Sequence, residues 1–250
     1  MKRSAKWRHL RLTTALTVTG LMTGAVLLTS SSQVAAKSTV SISYGASSGY
    51  EVDSTMAPPT SAKAPLTMPS IKPCPNTEEV DVEVLLFTNS SFSGVGVQLA
   101  CDRYFTSYIP YITSNGSREN IPTTVTVGDA LTLSVSMTPT QSSVTFIDNT
   151  TGFKYTQPGR GATATGASIG TVAIIKNPVS PVTYSIPKLS PMSFAGVQVN
   201  GTNLSTYTSS TGLLEDIETT NGNAPPSGKI QVMPSALTKS SSFSLKWKHG

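Results

Sequence analysis

Between Ile121 and Pro178 the chain alternates apolar and polar positions. Ile121, Val125, Val127, Leu131, Leu133, Val135 and Met137 fall on odd positions, and Thr124, Thr126, Thr132, Ser134, Ser136 and Thr138 on even ones. A period of two predicts long β-strands with one face in a core and one in water. Gly128-Asp129 interrupts the run as a turn or bulge would, and Asp148-Asn149-Thr150-Thr151-Gly152 predicts a tight hairpin. A third strand, Ile169 to Ile175, is stopped by Asn177-Pro178.

The same pattern predicts strands over Val80 to Phe87, Val95 to Cys101, Val182 to Ile186, Met192 to Gly201, Lys229 to Met233 and Ser242 to Trp247. Asn89 to Gly94 reads as a turn, and Thr113 to Asn120 and Thr206 to Pro226 read as loops. Ser38 to Tyr44 alternates, but Ala57 to Pro65 is poor in core-forming residues and reads as linker. No helical stripe occurs outside the N-terminus. The expected fold is all-β, an antiparallel double-sheet β-sandwich over residues 68–250, preceded by an N-terminal extension at 37–67.

Residues 1–36 read as a signal peptide. Lys2, Arg3, Lys6, Arg8 and Arg11 precede an apolar run from Ala15 to Leu28, and Val34-Ala35-Ala36 supplies small residues for cleavage. The alternative, an uncleaved anchor, is disfavoured by a short run interrupted by threonines. The chain is therefore expected outside the cell or at its surface, with no stable membrane insertion after cleavage and as a monomer. Five of its 18 basic residues leave with the leader, so 13 of each sign remain and the net charge falls to zero. That argues against nucleic acid as a partner.

Cys74 and Cys101 are an even pair in an exported chain, which invites one disulfide. Closing about 27 residues would stabilise the fold by roughly 3 kcal/mol on the chain-entropy account. Two free buried thiols are the other possibility. Chemistry is narrowed by elimination. The mature chain has a single histidine, His249, beside the C-terminus, which is a poor base for a Ser-His-Asp or Cys-His site. No phosphate loop, zinc set or cofactor motif is present, so no cofactor and no metal are expected. Glu78, Glu79, Asp81 and Glu83 lack EF-hand spacing and read as a solvated acidic edge, as do Glu215, Asp216 and Glu218.

The order of several segments resembles the glutamic peptidases, or eqolisins. They are Val127-Gly128-Asp129, Phe146 to Gly152, Ile174-Ile175-Lys176-Asn177-Pro178, Phe194 to Asn200, and Met233 to Leu237 with Ser242 to Trp247. Pro69-Ser70-Ile71 with Cys74, and Val97-Gln98 before Cys101, extend the likeness over Met68 to Trp247. The resemblance implies a secreted acid endopeptidase in which a glutamate acts as base on water while a glutamine holds that water. Gln98 stands where the family has its glutamine. The glutamate position, counted back from Pro178, is Val172, and no acid occurs between Asp148 and Glu215. The expectation is a degenerate, non-catalytic relative that binds peptide or glycan, with Tyr104, Tyr108 and Tyr111 as candidate cleft aromatics. The alternatives are an active peptidase drawing its acid from Asp148 or Glu119, and a structural surface domain.

Overall fold

The structure is a computed structural model, described over residues 41–45, 47–53, 58–173, 175–177, 182–183, 186–207, 215–220 and 230–248. The expected leader and His249 lie outside the described residues. In chain order the strands are β1 (Ser41–Gly45), β2 (Ser47–Asp53), β3 (Ser61–Thr67), β4 (Glu78–Phe87), β5 (Phe92–Cys101), β6 (Thr106–Ser114), β7 (Ser117–Asn120), β8 (Ala130–Met137), β9 (Gln141–Asp148) and β10 (Lys154–Arg160). They continue with β11 (Gly166–Ala173), β12 (Ile175–Asn177), β13 (Val182–Thr183), β14 (Met192–Phe194), β15 (Gln198–Val199), β16 (Thr202–Asn203), β17 (Glu215–Thr220), β18 (Ile230–Pro234) and β19 (Phe243–Trp247).

Apart from β12 and β13, which form a separate two-stranded ladder, these strands build two layers. The first runs β7-β6-β5-β4-β11-β2-β17-β1, and the second runs β10-β9-β8-β3, then β14 and β15, then β19 and β18. A short β17–β18 pairing joins the layers along one side. Pairings are antiparallel except β1 with β17, so the expected antiparallel β-sandwich is the fold found. Alternation decides which side chains enter the core. Val80, Val82, Val84 and Leu86 of β4 and Val95, Val97 and Leu99 of β5 are fully enclosed, facing Leu131, Leu133, Val144 and Phe146 of the second layer. The outer face of the first layer keeps the polar half of the pattern. Cys74 and Cys101 form a disulfide, with Cα atoms 5.6 Å apart, which ties the segment before β4 to the end of β5. Among the described residues no helix is long and apolar enough to cross a membrane.

Residues 37–67, expected as an N-terminal extension, contribute three strands, β1, β2 and β3. β3 lies inside the second layer, paired along its length with β8 and on its other edge with β14 and β15. Its inward residues Ala62, Ala64 and Leu66 are buried; two of the three are alanines, which gave little apolar signal. Pro65 is tolerated because its missing N–H faces the break between β14 and β15, where Ala195 N–H donates to the Pro65 carbonyl.

Other segments also differ. Residues 121–127 alternate but form a loop, with Ile121 and Val125 buried and Val127 55% exposed. Thr113 to Asn120, expected as a loop, is a hairpin: Asn115 and Gly116, at φ 52° and 78°, turn β6 into β7. Met192 to Gly201 is two short strands broken at Gly196, φ 62°. Glu215 to Glu218 lies on β17, not in a loop.

Leu66→Ala should lower the unfolding free energy by about 2–4 kcal/mol, because it empties a buried site in a central strand. Urea denaturation reads this directly; an unchanged midpoint would show that β3 is not part of the cooperative unit.

Candidate functional site

β4 carries Glu79, Asp81 and Glu83 at alternate positions, all on the outer face of the first layer. Register places them among specific neighbours. Asp81 lies opposite Gln98 of β5 on one side and Val172 of β11 on the other. Glu83 lies opposite Gly96 and Gly170, and Gly96 opposite Tyr111 of β6. Thr113, one row further, pairs with Arg118 of β7. Rows on one strand face are about 6.7 Å apart. Arg118 therefore reaches diagonally across the Tyr111 row to the Asp81–Gln98 row.

Hydrogen bonds join these groups into one network. Arg118 donates from Nη1 to Asp81 Oδ2 at 3.1 Å and from Nη2 to Gln98 Oε1 at 3.0 Å. Gln98 Nε2 donates to Glu79 Oε2 at 3.0 Å. Tyr111 Oη donates to Glu83 Oε2 at 2.8 Å. The guanidinium carbon lies 3.5 Å from the Tyr111 ring centroid, so the cation also sits on the aromatic face. Gly96 makes room for this stack: a Cβ there would come within 2.7 Å of Tyr111 Oη. Asp81 and Arg118 keep part of their surface, while Glu83 and Tyr111 are buried.

Burial sets the proton affinities. Desolvation raises the Glu83 carboxyl from its ordinary 4.5 to about 7, and the neighbouring Asp81 adds to the rise; the Tyr111 hydrogen bond and Arg118 oppose it. Asp81 is raised as well, mainly by burial, with Arg118 pulling the other way. Tyr111 is pushed well above the ordinary phenol range by burial and then by Glu83 and Asp81. A buried carboxyl poised near neutrality beside donors is the arrangement a general acid or base requires.

The acidic residues of β4, expected as a solvated edge, are therefore the centre of this site, with Glu83 only 7% exposed. The three candidate tyrosines part company. Tyr104 is exposed, Tyr111 lies beneath Arg118, and Tyr108 points to the core side, donating to the Pro69 carbonyl and accepting from Ile71 N–H. Asp148 is enclosed in its hairpin. Burial alone would raise its pKa, but hydrogen bonds from Thr151 and Thr150 hold it below the ordinary value. Glu119 pairs in register with Ile112, off the Gln98 face, and accepts a 3.4 Å hydrogen bond from Gln157. Neither acid reaches Gln98.

Arg118 escaped the sequence reading. Its signal was the Asn115-Gly116 pair: a two-residue turn there registers Thr113 with Arg118 and so places Arg118 on the Gln98 face. Cys74, Glu78 and Cys101 bring metal-type ligand atoms within 4.8 Å, but both sulfurs are committed to the disulfide. A cavity of about 280 Å³ lies on the outer face of the other layer, lined by Lys63, Ser134, Ser143, Thr145 and Gln198. Its lining contains no acid, unlike the β4–β7 face.

The two-layer antiparallel β-sandwich matches the glutamic-peptidase-like fold of its structural neighbours. The chain is similar to scytalido-glutamic peptidase bound to a transition-state analogue inhibitor, with TM-score 0.61 and 14% identity, covering 81% of this chain and 98% of that one. It is similar to SCP-B, an eqolisin in complex with the tripeptide Ala-Ile-His, with TM-score 0.57, 13% identity and the same coverage. It is similar too to aspergilloglutamic peptidase from Aspergillus niger, with TM-score 0.52 and 13% identity, over 68% of this chain and 99% of that one. At this identity the likeness is one of fold. No protein-family model matches the chain, and no curated protein sequence does.

Glu83 makes stability depend on pH. Its folded pKa is raised, so its contribution is complete below about 4.5 and is lost as pH rises through about 7. The span of about 2.5 units corresponds to about 3.5 kcal/mol at most, at roughly 1.4 kcal/mol per unit. The protein should therefore be more stable at pH 4.5 than at pH 8, and Glu83→Gln should remove most of that difference. Urea midpoints measured across this range decide it; an unaltered slope in the variant would show that Glu83 does not carry the effect.

Proposed function

We propose that the chain is an exported, non-proteolytic relative of the glutamic peptidases that holds extended peptide on the β4–β7 face without cleaving it. The observation that carries this reading is the state of Gln98. Its amide is used at both ends, by Glu79 and by Arg118, and so is not free to position a water. The position at which the resemblance places the general base is Val172, which cannot take a proton. Two structural neighbours of this fold hold peptide ligands, one the tripeptide Ala-Ile-His and one a peptide-based transition-state analogue. The partly exposed guanidinium of Arg118 and the carboxylates of Glu79 and Asp81 supply both donors and acceptors for a peptide backbone.

A second reading rests on the 3.0 Å Glu79–Gln98 contact. It places a carboxylate within reach of the glutamine amide, so that Glu79 would stand in for the missing base.

One experiment separates the two. Purified exported protein is incubated with a denatured protein substrate between about pH 2 and 6, and new termini are counted. No cleavage is expected, while a fluorescent extended peptide binds and Arg118→Ala weakens that binding about tenfold. Cleavage that is abolished by both Gln98→Ala and Glu79→Gln overturns the non-proteolytic reading in favour of the second.

A further inference from the structure

The outer face of the second layer carries a surface that the β4–β7 site does not explain. Strands β10, β9, β8 and β3 turn Thr156, Thr145, Ser134 and Lys63 outward in one cross-strand row, continued by Gln198 of β15. The next row is Pro158, Ser143, Ser136 and Ser61. The cavity of about 280 Å³ opens where these rows meet the β15–β16 hairpin. Asn200 and Gly201, at φ 53° and 70°, make the two-residue turn of that hairpin, and Gly201 lines the cavity. Asn200 Oδ1 accepts from the N–H groups of Thr60 and Ser61, at 2.6 and 3.2 Å, and so ties the hairpin wall to the start of β3. The side chains of Lys63, Ser134, Ser136, Ser143 and Gln198 have no hydrogen-bond or ion-pair partner among the described residues.

Charge on this face has one sign. Lys63, Lys154 and Arg160 are exposed on it, and none has an ion-pair partner among the described residues. The four strands contain a single acid, Asp148, which is enclosed and held by Thr150 and Thr151. Neighbouring acids are engaged elsewhere. The Asp129 carboxylate accepts from Thr126. Glu119 accepts from Gln157, which lies opposite the buried Val144 and so points away from this face. Six residues along β10 separate Lys154 from Arg160 by about 20 Å, and three ladder spacings set Lys63 about 14 Å from β10. No aromatic side chain faces outward on these strands.

We propose that this face binds an acidic glycan, with one carboxylate-bearing sugar unit seated in the cavity. Lys63 would hold the carboxylate. The hydroxyls of Ser134, Ser136 and Ser143 and the Gln198 amide would meet the sugar hydroxyls, since these groups both donate and accept. Lys154 and Arg160 would meet further carboxylates of the same chain. Two features favour this ligand over a nucleic acid. The cations are sparse, whereas nucleic-acid phosphates are closely spaced, and the face lacks the rings on which single-stranded bases stack. The hairpin wall is already pinned to β3, so little ordering entropy opposes binding. The inference is independent of the peptide reading, because it uses the opposite face and none of the same residues.

The test uses protein recovered from the medium of an exporting host. Isothermal titration compares a galacturonate oligosaccharide, the neutral galactose oligosaccharide of the same linkage, and polyphosphate as a probe of charge alone. The uronate is expected to bind more tightly than either of the others, and to weaken as salt is raised. Lys63→Ala should weaken uronate binding at least about tenfold, and Ser134→Ala with Ser143→Ala about fivefold. Lys154→Ala and Arg160→Ala, at exposed positions, should weaken it about twofold each. No binding of the uronate, equal binding of the neutral sugar, or an unchanged affinity in Lys63→Ala overturns the proposal. So does polyphosphate binding as tight as that of the uronate and indifferent to the paired serine variant, because that pattern is charge attraction without sugar recognition. Melting curves of each variant confirm that the fold is kept.

Discussion

Three carboxyls spaced two apart on one strand face meet one guanidinium among the described residues, that of Arg118 on Asp81. Glu79, Asp81 and Glu83 cannot turn away from one another, because the pleat of β4 fixes them on the same side. Among the described residues Arg118 is the cation that bonds this row, at Asp81, and it does so by spanning two cross-strand rows. One positive charge does not balance three acids, and burial of Glu83 makes its ionisation costly. The Glu83 carboxyl answers this by keeping its proton to about pH 7. The Tyr111 hydroxyl then supplies a hydrogen bond to the carboxyl, and the ring beneath supports the guanidinium. Gly96, the hairpin at Asn115-Gly116 and the position of β7 all follow from seating that cation.

The same arrangement restrains Gln98. A glutamine that donates to one carboxylate and accepts from a guanidinium is well satisfied and poorly placed to hold a water. Satisfaction of this kind rigidifies a face and fixes where donors and acceptors point. That suits recognition of an extended chain, whose backbone presents both kinds of group at regular intervals.

Much of the sandwich was legible because its central strands alternate valine and leucine with polar residues; β4, β5, β8 and β9 carry that signal openly. β3 did not, since alanine at positions 62 and 64 buries without looking apolar and Pro65 suggests a break. Residues 121–127 misled in the opposite sense: their alternation is real, but Val127 turns to solvent in a loop pinned by Met68. At the site, residue order singled out Gln98 and Val172, and the sheet sets both positions in one row with Asp81. Glu83 was not legible, because an acid in a short acidic run looks solvated until neighbouring strands cover it. Arg118 was hidden by a hairpin whose two-residue turn was passed over.

The row containing Val172, Asp81 and Gln98 brings these threads together. The two positions that the resemblance pairs are not adjacent strands; β4 runs between β5 and β11 and places Asp81 in the row between them. If Val172 stands at the base position that the resemblance implies, a carboxyl still lies one strand away, about 5 Å across the ladder. Asp81 is not a free replacement, because Arg118 holds it by two hydrogen bonds and also holds Gln98. Freeing Asp81 would mean moving the guanidinium off Tyr111 and leaving the acids of β4 uncompensated. The electrostatic demand of β4 therefore opposes any rearrangement that would free Asp81, and it is this opposition, more than the valine alone, on which the proposal of a non-proteolytic face rests.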